Sequence, residues 1–211
     1  MSTATDFFEH TPDASSVSSS VYSKNRFEII FAAIARFAPI YDWVSFTILQ
    51  WMMLNVGWSV MLAGWGDLPS VIPALVLGTV AAFIASKLNI NLYLKSVYAL
   101  VFGFLVVIWR GTPQSSGTNV FERAYDGISR FSMWIETAQS GGISTDTVPF
   151  ALMFMTAAWL VGYGVTALTF RFNSPWLPTV LLSLVILTNL SYRHGQHEHT
   201  YFLFLVGGIA L

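Results

Sequence analysis

Apolar and polar positions in this chain alternate by whole segments. Five apolar runs, residues 43–65, 70–86, 92–109, 148–170 and 172–192, carry among them one charged residue, Lys95. A bilayer core takes about 20 apolar helical residues. In lipid the backbone must satisfy its own hydrogen bonds, which favours helices. The pattern therefore predicts an all-α polytopic transmembrane bundle with five full spans. A last run, YFLFLVGGIAL at 201–211, has eleven residues and is too short to cross at 1.5 Å per residue. It is either a buried stub or an incomplete sixth span. With no polar end to anchor it, the second reading is preferred, and the chain is expected to continue past Leu211.

The segments between the runs divide the chain further. Residues 1–22 are Ser/Thr-rich and read as a flexible tail. Residues 23–39 place Phe27, Ile30, Phe31, Ile34 and Phe37 at helical spacing beside Arg26 and Arg36. This predicts an interfacial amphipathic helix or one packed on the bundle, ended by Pro39. Residues 40–211 form the transmembrane domain. Within the first span Gln50, Asn55 and Ser59 share a side and should face protein. Gly78, Ala81, Ala82 and Ala85 on the second, and Ala158, Gly162 and Gly164 on the fourth, offer places for close helix approach. Lys95, near the start of the third, is expected to snorkel, with Arg110 closing its far end.

Residues 111–147 form the longest polar interval. GTPQSSGTN at 111–119 reads as loop. After it Phe121, Tyr125, Ile128, Phe131 and Ile135 mark one side of a second amphipathic helix, started by an Asn119–Glu122 cap and ended before Gly141. Glu122, Asp126 and Glu136 alternate with Arg123 and Arg130, as on a solvated face.

Composition supports lipid as the main solvent. The chain is 55% hydrophobic and 10% charged, against about 25% charged in soluble domains. A net charge of −1 argues against nucleic acid as a partner. With no cysteine, disulfides, thiolate metal sites and a cysteine nucleophile are excluded within these residues. Eight Trp, eight Tyr and seventeen Phe suit interfacial belts. If the N-terminus is cytoplasmic, Lys24, Arg26, Arg36, Lys87, Lys95 and Arg171 share that side and Arg110, Arg123, Arg130 and Arg193 lie opposite, a bias in the sense of the positive-inside rule. The expected location is the cytoplasmic (inner) membrane.

Candidate chemistry is sparse. His194, His197 and His199 with Glu198 form one cluster, RHGQHEHT, whose spacing matches no standard metal motif. It reads as a solvated connector, with a metal-binding or proton-responsive loop as the alternative. No phosphate loop, serine elbow or dinucleotide motif is present. No cofactor is expected; bound lipids are.

Residues 148–192 also carry a family resemblance. Trp159, Gly162 and Tyr163 in AAWLVGYG, Arg171 in the following turn, Pro175 and Trp176 after it, and Asn189 and Tyr192 in the next helix resemble the N-terminal membrane region of bacterial transglutaminase-like integral membrane proteins. The resemblance covers roughly residues 40–211. It implies a further span leading to an extracytoplasmic papain-like domain with a Cys-His-Asp triad, none of which lies in this chain. These residues would then anchor and position, without catalysing. The function expected is a non-catalytic membrane-embedded scaffold or accessory subunit, assembled with other integral membrane proteins. The alternative is the membrane anchor of a longer transglutaminase-like enzyme. A small transporter ranks third, because no inverted repeat stands out.

Overall fold

The computed structural model describes residues 28, 29, 32, 37–64, 68–112, 118–142, 144–192 and 198–211. Among them the protein is helical, with no strand. From Ile40 on, seven helices follow one another among the described residues: α1 Ile40–Leu62, α2 Ile72–Lys87, α3 Leu92–Gly111, α4 Val120–Gln139, α5 Thr147–Phe172, α6 Trp176–Tyr192 and α7 Glu198–Ala210. The chain divides into two units, Met1–Asp42 and Trp43–Leu211. In the first, Glu28, Ile29, Ala32 and Phe37 are helical with exposed side chains. Ala38 is buried at a bend and Pro39 follows it outside any helix. Residues 23–27, 30, 31 and 33–36 of the expected helix, and the 1–22 tail, lie outside the described residues.

Length corrects the expected number of spans. Three helices are long and apolar enough to cross a membrane: α1 with 23 residues, α3 with 20 and α5 with 26. Five full spans are not supported. Helix α2 has 16 residues and α6 has 17, about 24 and 26 Å against a hydrocarbon core of about 30 Å. The reason lies at their ends. Apolar residues flanking α2, such as Val71 and Leu88, fall outside the helix as its caps. Phe172, counted with the fifth run, instead completes the last turn of α5. The third run, short for a span on a strict reading, gains two residues at its end and closes at Gly111. The terminal run gains residues at its front, since Glu198 and His199 are helical, yet α7 is still only 13 residues long.

Local chemistry sets the boundaries. The Asn91 side chain accepts from the Leu94 amide at 2.8 Å and starts α3. Asp146 accepts from Val148 N at 3.0 Å and starts α5. Asn173 closes α5 in the left-handed conformation, φ 51°, a backbone state Asn tolerates better than most residues. Helix α4 begins with the expected capping box between Asn119 and Glu122. It is followed by Gly141 at φ +78°.

In the second unit, α5 is the axis. It packs on α2 most extensively, and also on α3, α4 and α6. Helices α2 and α5 run parallel, as Phe83 meets Phe170 at 5.0 Å between centroids while Gly78 lies at Trp159 and Gly162. An ideal Cβ on Gly78 would stand 2.8 Å from the Trp159 carbonyl oxygen, and one on Gly162 would strike the Leu75 carbonyl. Backbone thus meets backbone, the arrangement small residues make accessible in apolar helices. Gly164, expected to help, has nothing within 4 Å of a Cβ. Helix α3 runs antiparallel to α5: Gly103 lies beneath the Trp159 indole and Gly111 beneath Leu152. Helix α1 reaches α2 through Trp43 and Phe46 on Phe83 and through Gln50 Nε2 donating to Thr79 Oγ1. Gln50 is partly buried, and Asn55 and Ser59 are buried, so the polar side of α1 faces protein. Helices α6 and α7 pair through Thr179 and Gly208, and α7 rests on α1 where Gly207 meets Met52.

Candidate functional site

Three cationic side chains mark one end of the α2–α3–α5 group. Lys87 closes α2, Lys95 sits in the first turn of α3 and Arg171 in the last turn of α5. The directions of these helices bring the three to the same end. Lys87 Nζ stands 5.7 Å over the Phe83 ring and 5.5 Å over the Phe170 ring, within cation–π range. The Arg171 guanidinium carbon lies 5.8 Å from the Phe172 ring centroid.

From that end a groove of about 770 Å³ runs between the three helices. Its walls are Ala82, Ala85 and Ser86 of α2, residues of α3 from Leu92 to Val107, and Thr156, Trp159, Leu160, Tyr163, Ala167, Phe170 and Arg171 of α5. Small residues leave the space: Ala82, Ala85, Ala99, Gly103 and Ala167 all line it. Lys95 and Arg171 are its charged residues, and no carboxylate lines it among the described residues. The hydroxyls of Ser86, Ser96 and Thr156 donate to carbonyls of their own helices at 2.6, 3.0 and 2.7 Å. Such back-bonding uses up their protons, which leaves Lys95 and Arg171 as the principal charged donors at the mouth. A second, apolar groove of about 470 Å³ shares Phe104, Val107, Thr156 and Leu160 with the first. It reaches Ile128 and Phe131 of α4.

Helix α4 has three sides. Ala124 and Phe131 pack on the core, and Gly127 is buried with its Cα side 2.9 Å, at an ideal Cβ, from Thr112 Cγ2. Phe121, Tyr125 and Ile128 are exposed, Phe121 at 89%. Charges occupy the remaining side: Arg130 pairs with Asp126 at 3.2 Å and with Asp146 at 3.4 Å. Three hydrogen bonds to Glu122 Oε2, from Thr118 Oγ1, Thr118 N and Asn119 N, hold its carboxyl below the usual 4.5, the Thr118 hydroxyl contributing most.

The residues of the family-like pattern fall into several places. Trp159 is buried and Gly162 forms the α2 crossing, while Tyr163 and Arg171 line the groove. The Pro175 carbonyl accepts from Thr179 in the first turn of α6, and Trp176 is 74% exposed. Asn189 is buried on α6. Tyr192 ends that helix, its side chain outside the described residues. His199 is exposed in the first turn of α7, whereas His194 and His197 lie outside the described residues. Among the described residues no three His, Cys, Asp or Glu side chains gather as a metal site would require.

Sequence reasoning named Lys95, Tyr163 and Arg171 separately and missed that they share a groove. The available signal was the placement of Lys95 and Arg171 at helix ends beside short turns; Tyr163, two turns inside α5, carried none. The Gly103–Trp159 fit left no such signal. Comparison with protein-family models, with curated proteins and with solved structures finds no match for this chain.

Proposed function

We propose that this chain is a non-catalytic, membrane-embedded scaffold or accessory subunit of a larger membrane protein assembly. The observation that carries the reading is the two-sidedness of α3. One side is seated on α5 and lines the groove, while Leu94, Val101 and Leu105 stand exposed along another. In water such a face would be costly, at about 25 cal/mol per Å² of apolar surface. In a bilayer it is a surface that another subunit's helix can cover at little cost, since lipid already solvates it. The location proposed is the cytoplasmic membrane of a bacterium, with the N-terminus cytoplasmic.

Site-specific photocrosslinking in native membranes tests this. A crosslinker at Val101 is expected to trap one discrete protein partner, while one at buried Ala81 traps none. Lipid-only products at Val101, with the chain migrating alone in mild detergent, would overturn the subunit reading. The second reading, the membrane anchor of a transglutaminase-like enzyme, is favoured by the pattern from Trp159 to Tyr192. It requires a Cys-His-Asp domain encoded downstream of Leu211 in the same reading frame, and a stop codon there excludes it.

A further inference from the structure

We infer that the groove between α2, α3 and α5 binds one anionic phospholipid, an acyl chain along its apolar length and the phosphate headgroup at Lys95 and Arg171. The inference rests on the reading of the chain as membrane-embedded and adds a ligand of defined chemistry to it. Charge complementarity selects the occupant. The groove is apolar along its walls and ends in two cations from different helices, with no carboxylate lining it among the described residues. Lys95 is half-buried at that mouth rather than splayed into open solvent. Arg171 presents a planar fork that suits phosphate oxygens. The Ser86 and Ser96 hydroxyls spend their protons on backbone carbonyls, and with Tyr163 as the groove's phenol the positive charges an anion meets there are those of Lys95 and Arg171. A partner's transmembrane helix fits less well. It would leave both charges without a counterpart unless it carried an acid at that depth, whereas a phospholipid brings a phosphate at the headgroup level and a flexible chain below it. The small side chains of Ala99 and Ala167 leave the width such a chain needs.

The test is native mass spectrometry of the delipidated full chain, titrated with phosphatidylglycerol and with phosphatidylcholine of the same acyl composition. The wild-type chain is expected to prefer the anionic lipid about tenfold, the order that two cations near an anionic headgroup supply. The double variant Lys95→Ala/Arg171→Ala should lose that preference, and Lys95→Arg/Arg171→Lys should keep it. Arg110→Ala, at the opposite end of α3, should keep it as well. Ala99→Trp, which fills the groove, should weaken both lipids. No preference in the wild type, a preference that survives the double alanine change, or an equal loss in Arg110→Ala overturns the site. Displacement of the lipid by free glycerol phosphate overturns the acyl-chain part. If the double alanine variant does not fold, the wild-type preference and the Ala99→Trp effect still decide the matter. Carbonate extraction of the same cells separates the two failures. A membrane-resident chain without lipid preference sinks the site alone, and an extractable chain sinks the membrane reading with it.

Discussion

Gly162 and Gly164 are two residues apart on one helix and have opposite consequences. At Gly162 an added methyl meets the Leu75 carbonyl, and at Gly164 it meets nothing within 4 Å. A side chain can rotate away from a clash, but a carbonyl held in the α2 hydrogen-bond ladder cannot. Gly162→Ala is therefore expected to destabilise the bundle by about 1–3 kcal/mol, the usual range for overpacking. Gly164→Ala should leave stability unchanged or raise it, through the better helix propensity of alanine. Thermal unfolding in one detergent, followed by circular dichroism, checks both. Equal effects would mean that the α2–α5 crossing is looser than described. In sequence the two glycines are equivalent members of a small-residue pattern, since only the neighbouring helix distinguishes them.

At the scale of elements, α4 is where sequence and structure agree most closely. Its cap, its alternating charges and the glycine after its end are local features, set by residues within a turn of one another. The Glu122 carboxylate accepts from Thr118 and Asn119, and its folded pKa lies below the ordinary 4.5. The cap's contribution is therefore fully present above the ordinary carboxylate range and is lost as pH falls through the lowered folded value. Amide exchange at the start of α4, corrected for the intrinsic pH dependence, should accelerate across that acid window. Glu122→Gln should remove the pH dependence, and an unchanged acid response in that variant would assign the effect to another group. Helices α2 and α6 show the contrary case. Their apolar runs are long enough in sequence to be read as spans, but capping and turn residues at the ends shorten the helices.

Across the whole molecule, the helix directions of the second unit follow from short turns and hairpin packing. The α2–α3 turn and the α5–α6 turn lie at one end, where Lys87, Lys95 and Arg171 gather. The α4–α5 connection lies at the other. The absence of cysteine makes single-cysteine mapping direct. With the N-terminus cytoplasmic, a cysteine at Asn89 or Asn173 should be labelled by an impermeant reagent only from the cytoplasmic face, and one at Ser144 only from outside. Labelling of Asn89 and Ser144 from the same side would rule out this arrangement. A reversed pattern would keep the bundle and invert its orientation.

The sequence by itself determined the all-helical class, the membrane-compatible apolar segments, the polar 111–119 segment and the capped amphipathic helix that follows it. These depend on composition, periodicity and contacts within a few residues. Tertiary structure decided the rest. It set which of the small residues bring backbones together and which separated cations share a groove. Those outcomes depend on pairings between residues tens of positions apart. Trp159 shows the difference most clearly: its aromatic character is written in the chain, but its burial needs Gly103 on another helix to leave the indole room.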